Sequence, residues 1–304
     1  MLRRGENALY IGYLLILISA IAFGLMPIFA LYAYNQNVSV NTLLFLRFTF
    51  ATIMFFSYLV VSKKLVKITK KQLVLFVLLG GVLYMLQSSF YFSSVKYIPA
   101  SLAALILYLY PIFVAILSFL VNKEQLTKNI MISILLSLAG IVLVLGAPSE
   151  NINPFGIILA LAAAIVYSIY IIVGGRVSMH VPPLVTSAYI SLFAAISFLL
   201  VGVSTSTIHI HFKFIGWISI LGISIISSVI SMGTFFAGVK RIGPTKGAVL
   251  SMVEPVVTIT FSTILFHENM SLLQMIGGTI VLGGALLVVL TSEKRKVVEN
   301  KMDF

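Results

Sequence analysis

Glu254 stands in the middle of an apolar stretch, directly before Pro255, and 144 residues earlier Tyr110 stands directly before Pro111. A charge at the centre of a membrane helix costs about 2.5–3.5 kcal/mol on insertion scales. Such a carboxyl requires a polar cavity, a partner or a bound proton. A proton held there can leave when a cation arrives, so the chemistry on offer is binding or proton coupling. The bland alternative is a protonated glutamate that packs one helix against another through a serine.

The two prolines sharpen the case. Each removes a backbone donor and clashes with the carbonyl four residues earlier, here those of Leu107 and Ser251. Freed backbone groups are tolerated in lipid only beside protein or a wet cavity. Pro111 and Pro255 are therefore candidate hinges beside a central site, or else kinks that serve packing alone.

Other polar side chains can complete a chamber. Gly247, Ser251, Glu254, Thr258 and Ser262 recur at spacings of three and four, hence on one helix face. Tyr84, Gln87, Ser88 and Tyr91 form a second stripe, and Ser224, Ser227, Ser228 and Ser231 a third. Phe23 and Met26 face the problem from the first apolar segment, Tyr167 and Tyr170 from the sixth. The candidate substrate or coupling residues are thus Glu254, Tyr110, Ser251, Gln87, Tyr84, Tyr91, Ser231, Tyr167, Tyr170, Phe23 and Met26. Serines also mediate ordinary helix packing in lipid, so a packing role competes at each of them.

Arg47 sits about 8 Å into its segment at 1.5 Å per residue. Snorkelling to the outer surface is the favoured reading, with a gate or an anion contact as the alternative. Glu124 and Glu268 close their segments, where a terminal salt bridge is expected. His209 and His211 share an outer loop, but without a third ligand they make a weak metal signal, and no metal is expected. No phosphate-binding loop, nucleophile elbow or His-Glu-x-x-His pattern occurs, so neither an ATP-driven engine nor a bound cofactor is expected.

The elements that must position these residues are membrane helices. Sixty per cent of the chain is hydrophobic and 9% charged, against roughly 25% charged in soluble domains. Ten apolar segments can be read, approximately 10–32, 42–61, 72–94, 99–121, 128–147, 154–174, 185–203, 214–237, 244–266 and 271–290. The first is too long for a signal peptide's apolar core and is followed by another span, so it reads as a retained helix. Cysteine is absent, which excludes disulfides and thiolate metal sites.

The net charge of +12 is placed by loop. With the N-terminus in the cytoplasm, the inner loops and tails hold 17 Lys and Arg, while Lys96 and Lys213 lie outside. This asymmetry follows the positive-inside rule and predicts both termini in the cytoplasm of a plasma membrane. The basic excess orients the chain in a lipid bilayer and is not a nucleic-acid footprint.

The 144-residue offset extends along the whole chain. It pairs Val95, Lys96, Ile98, Ala104 and Glu124 with Val239, Lys240, Ile242, Ala248 and Glu268. It also pairs Gly12 with Gly156, Thr42 with Thr186 and Gly140 with Gly284. Residues 1–147 and 148–304 are therefore two repeats of five helices. An odd number inverts the second copy in the bilayer, a pattern that characterises membrane transporters. The Gly277-Gly278 and Gly283-Gly284 pairs invite close helix approach, whether by the same chain or by a second copy.

Ten spans in two halves, Tyr108-Leu109-Tyr110-Pro111 with Glu124 following, and Glu254-Pro255 with Glu268 following resemble the EamA-type drug/metabolite transporters. The resemblance covers about residues 8–292. It implies an all-α membrane protein in which helices one to four and six to nine surround a central cavity, with the fifth and tenth outside. It further implies movement of small metabolites such as amino acids, amines or drugs without ATP. Relatives that carry sugar phosphates place cations within the membrane, whereas Ser101 to Ser118 contains no Lys or Arg. An exporter or flippase of a phosphorylated or lipid-linked compound is therefore the second expectation. An intramembrane enzyme comes last, because Glu254 has no second ionisable group beside it in sequence.

Overall fold

The computed structural model describes residues 2–94, 97–98, 100–145, 153–266 and 271–302. Val95, Lys96 and Glu268 of the repeat pairs lie outside the described residues, as do the side chains of Ser101, Ser262 and the basic residues near both termini.

Among the described residues, 10 helical spans are long and apolar enough to cross a membrane. The second and seventh, Val40–Val61 and Pro183–Ser204, have 22 residues each. At 1.5 Å per residue that is about 33 Å, enough for a hydrocarbon core of roughly 30 Å. Capping sets where several spans begin. Ser39 accepts from the Thr42 amide, and Thr69 and Gln72 form a reciprocal capping box, a device worth about 1 kcal/mol. Ser271 and Gln274 exchange the same two bonds at the start of the tenth span.

Five spans precede Leu145 and five follow Pro154, so the halves enter the membrane in opposite senses. Steric contacts carry the same two-fold relation. A Cβ added at Gly12 would lie 2.5 Å from Ile242 Cγ2, and one at Gly156 would lie 2.8 Å from Ile98 Cγ2. Each contact becomes the other when 144 residues are added to one partner and subtracted from the other. The fifth span (Lys128–Leu145) and the tenth (within Leu272–Met302) obey this rule too. A Cβ at Gly140 would meet the Gly277 carbonyl at 2.6 Å, and one at Gly284 would meet the Ser133 carbonyl at 3.0 Å. Glycine is needed at these crossings because the backbones touch. The partner the glycine pairs invite is thus within the same chain, although Gly283 has no neighbour within 4 Å.

Two kinds of irregularity are also duplicated. The third span passes through a π-helical segment, Val77–Tyr84, and the eighth through another, Ile225–Ile230. The fourth and ninth spans are broken. The fourth consists of Ala100–Leu107 and Tyr110–Asn122, the ninth of Pro244–Ser251 and Glu254–Phe266. Every one of those four boundaries matches its counterpart at the 144-residue offset.

Candidate functional site

The breaks come from the prolines. Pro111 and Pro255 each follow the first residue of a new helical segment, where a missing N–H costs nothing. The chain reaches that position through a tight turn, with Leu109 N donating to Ile106 O at 3.1 Å and Val253 N to Leu250 O at 3.2 Å. The sequence suggests kinked continuous helices; the structure has two half-helices per span, with Tyr110 and Glu254 opening the second halves. Both prolines are buried.

The first span breaks as well, at Leu25 between Leu2–Gly24 and Met26–Tyr34. Gly24 lies against the ninth-span break, where a Cβ would fall 2.8 Å from the Glu254 carbonyl. The Thr258 hydroxyl bridges the same junction by donating to Gly24 O at 2.8 Å and Glu254 O at 3.1 Å. Those bonds fix the backbone that carries the Glu254 carboxyl.

A cavity of about 470 Å³ begins at Glu254 and runs toward the end of the bundle where Tyr34 closes the first span and Leu43 opens the second. A deeper compartment of about 110 Å³ continues it between the sixth and eighth spans. Glu254 is half-buried in the wall of both. No described residue donates a hydrogen bond to its carboxylate. Tyr108, Tyr110 and Tyr167 lie within its electrostatic reach.

Phe23, Met26, Tyr84 and Gln87 line both compartments. Tyr110, Tyr167 and Tyr170 line the deeper one, and Tyr91 the larger. The aromatic rings hold one another in place. Tyr167 stacks on Tyr170 at 5.9 Å, and Tyr110 meets Tyr167 edge-on at 4.8 Å. The sixth span (Pro154–His180) can place both tyrosines there because positions three apart share a helix face.

Ser251 and Ser231 are buried but do not line the cavity. The Ser231 carbonyl accepts from the Ser19 hydroxyl at 2.9 Å, whereas the Ser231 hydroxyl has no hydrogen-bond partner among the described residues. The Ser19 bond is the ordinary use of a serine hydroxyl in lipid. Tyr108, Phe235, Phe236 and Met232 line the compartments without having been singled out as site residues, and Thr258 lines the larger one from the polar face read in the sequence. For Tyr108 the signal was present in the Tyr-Leu-Tyr-Pro run.

Arg47 corrects the sequence reading. It does not snorkel; it is 1% exposed and lines the larger cavity. Its Nε donates to Ser228 Oγ at 2.6 Å and its Nη2 to the Ser227 carbonyl at 2.8 Å, both in the π-helical segment of the eighth span. The irregular backbone leaves the Ser227 carbonyl able to accept, the Ser228 hydroxyl stands beside it, and the long side chain turns inward to use both.

At the opposite end the halves are joined. The Tyr110 hydroxyl donates to Ala248 O at 3.1 Å, and Ser168 Oγ donates to Tyr110 O at 3.1 Å. The Glu124 carboxylate accepts from Ser118 at 2.6 Å and from Thr245 at 2.9 Å, linking the fourth span to the ninth. Arg176 of the sixth span donates to Asn122 at 2.7 Å and to the Val121 carbonyl. Among the described residues the site is therefore a chamber with an aromatic floor, one carboxyl and one guanidinium, joined across the halves at one end.

Comparison with known proteins agrees with this architecture. A transporter of Bacillus subtilis whose function is uncharacterised is 23% identical over 96% of both chains. A probable amino-acid metabolite efflux pump of Salmonella typhimurium is 27% identical over 67% of this chain and 72% of its own. An aromatic amino acid exporter of Ancylobacter novellus matches at 27% over the same shares. A crystal structure at 22% identity covers 95% of this chain and 98% of its own with a TM-score of 0.79, a likeness of fold. The profile of the EamA-like transporter family matches twice, at residues 10–146 and 154–290. With both repeats matched, this multi-pass membrane protein belongs to the EamA-like transporter family.

Proposed function

We propose that the protein is a secondary transporter that exports small amine-bearing metabolites, amino acids among them, across the plasma membrane by alternating access without ATP. The observation that carries this reading is the half-buried Glu254 carboxyl at the floor of the cavity, at the break of the ninth span. Tyrosine faces around it attract cations. Its lack of a hydrogen-bonded partner among the described residues leaves it free for a substrate ammonium or a proton.

The broken fourth and ninth spans supply the moving parts, since half-helices joined by one turn can swing where an unbroken helix cannot. Residues 1–147 and 148–304 act as the two rocking bodies. Both termini lie in the cytoplasm, which makes the open end of the cavity the outer one. The names of the Salmonella and Ancylobacter relatives support amino acids as one substrate class. Arg47 is the only Lys or Arg among the described residues lining either compartment, and a single cation suits a carboxylate better than a phosphate dianion. The second reading, a phosphorylated or lipid-linked substrate, stands below the first for that reason.

Flux of radiolabelled amino acids and amines into proteoliposomes tests the reading. Saturable uptake of at least one amine-bearing compound, without ATP, is expected. Saturable flux of organic phosphates alone would reverse the order of the two.

A further inference from the structure

Among the described lining residues the chamber holds one cation, opposite in sign to Glu254. Arg47 carries a full positive charge into the cavity wall, and all three of its hydrogen-bonding contacts are to neutral atoms. Ser228 Oγ, the Ser227 carbonyl and the Met26 sulfur (3.0 Å from Nη1) accept from it. The guanidinium has five N–H donors, so one remains on Nη1 and one on Nη2. The Phe48 ring, 4.7 Å from the guanidinium carbon, offers partial compensation. No carboxylate among the described residues pairs with Arg47. A cation taken out of water and left unpaired is costly, and a charge so placed attracts an anion more strongly than it would in water.

The position of Arg47 relative to Glu254 gives the cavity two poles. Tyr34 and Tyr170 lie within the electrostatic reach of Arg47, whereas Tyr108, Tyr110 and Tyr167 lie within that of Glu254. The stacked rings of Tyr167 and Tyr170 connect the two groups.

We propose that Arg47 is an anion subsite of the cavity, which receives the carboxylate of a substrate whose ammonium group faces Glu254. This rests on the reading of the protein as a carrier of amine-bearing metabolites. The competing role is a purely structural one, in which Arg47 ties the second span to the π-helical segment of the eighth. The two differ in whether removing the guanidinium discriminates between substrates.

Three probes that share a phenyl ring decide the matter in proteoliposomes with the full-length chain. L-Phenylalanine carries both charges, 2-phenylethylamine lacks the carboxylate and 3-phenylpropanoate lacks the amine. For the wild type, phenylalanine should show a KM about tenfold or more below that of 2-phenylethylamine, and 3-phenylpropanoate should compete with it. Arg47→Gln should raise the phenylalanine KM about tenfold more than that of 2-phenylethylamine, with Arg47→Lys in between. Equal losses on both probes overturn the subsite and leave the transport reading intact. So does failure of 3-phenylpropanoate to compete on the wild type, a measurement that stands even if Arg47→Gln does not fold. Wild-type protein that carries none of the three overturns the transport reading for this class, and the subsite with it.

Discussion

The Tyr110 hydroxyl of the first repeat donates to the Ala248 carbonyl of the second at 3.1 Å, joining the fourth and ninth spans close to the breaks in both. Tyr110 and Glu254 hold equivalent positions, yet only the tyrosine is bound across the repeat boundary by a described hydrogen bond. The inverted halves are thus alike in backbone and different in the chemistry they present. Tyr110→Phe keeps the ring and its edge contact with Tyr167 while deleting the bond. A buried hydrogen bond contributes about 1 kcal/mol. We expect a lower melting temperature in detergent and a faster exchange between open and closed states, with substrate affinity changed by less than about threefold. Unchanged melting would show that the bond does not hold the halves together.

The glycine crossing between the fifth and tenth spans makes a sharper stability prediction. Gly140→Leu drives a side chain into the Gly277 backbone, whereas Gly283→Leu points into open space. Overpacking costs about 1–3 kcal/mol. Thermal unfolding should show a clear loss for Gly140→Leu and little change for Gly283→Leu. Equal behaviour of the two would contradict the crossing.

Glu124 tests which end of the cavity is held shut. Its bonds to Ser118 and Thr245 fasten the fourth span to the ninth opposite the open end. The repeat counterpart of this contact would involve Glu268, outside the described residues. Glu124→Ala should loosen the fastened end and shift molecules toward the opposite opening. The chain has no cysteine, so Gln87→Cys gives a single labelling site in the cavity wall. Labelling by an impermeant thiol reagent applied from the face of the 35–39 turn should fall when Glu124→Ala is added. An unchanged labelling rate would make the contact a helix cap without influence on access.

Much of this was legible in the sequence, for identifiable reasons. The pairing of Gly12 with Gly156 and of Ile98 with Ile242 gave the duplication, and the structure turns those pairs into two matching contacts. Glu254, Gln87 and Tyr84 were legible because a polar group in an apolar span must face something polar. Arg47 was misread because depth along a helix does not reveal which way a long side chain turns. That depended on the Ser228 hydroxyl and on the Ser227 carbonyl, the latter in a π-helical segment that no composition signal marks. Ser231 and Ser251 are buried outside the cavity lining, a difference the sequence does not mark because serine serves packing and binding with the same hydroxyl. The breaks at Tyr108-Leu109 and Met252-Val253 were placed by the prolines, but whether they would bend or interrupt the helices was decided by tertiary contacts such as that of Thr258 with Gly24.

The central claim is that Glu254 meets the substrate amine or exchanges a proton for it. Glu254→Gln tests it most directly, since the amide keeps the size and hydrogen-bonding capacity of the carboxyl and deletes its charge. Hydrogen bonds to charged groups contribute about 1.5–3 kcal/mol, which corresponds to a loss of at least about tenfold. The measurement is the initial rate of amine and amino acid flux into proteoliposomes across a range of pH, for wild type and variant at equal incorporation. The account predicts that Glu254→Gln folds, loses at least about tenfold in rate and loses the pH dependence of the wild type. A variant that transports at the wild-type rate with the same pH dependence would contradict it and make Glu254 a packing residue of the ninth span.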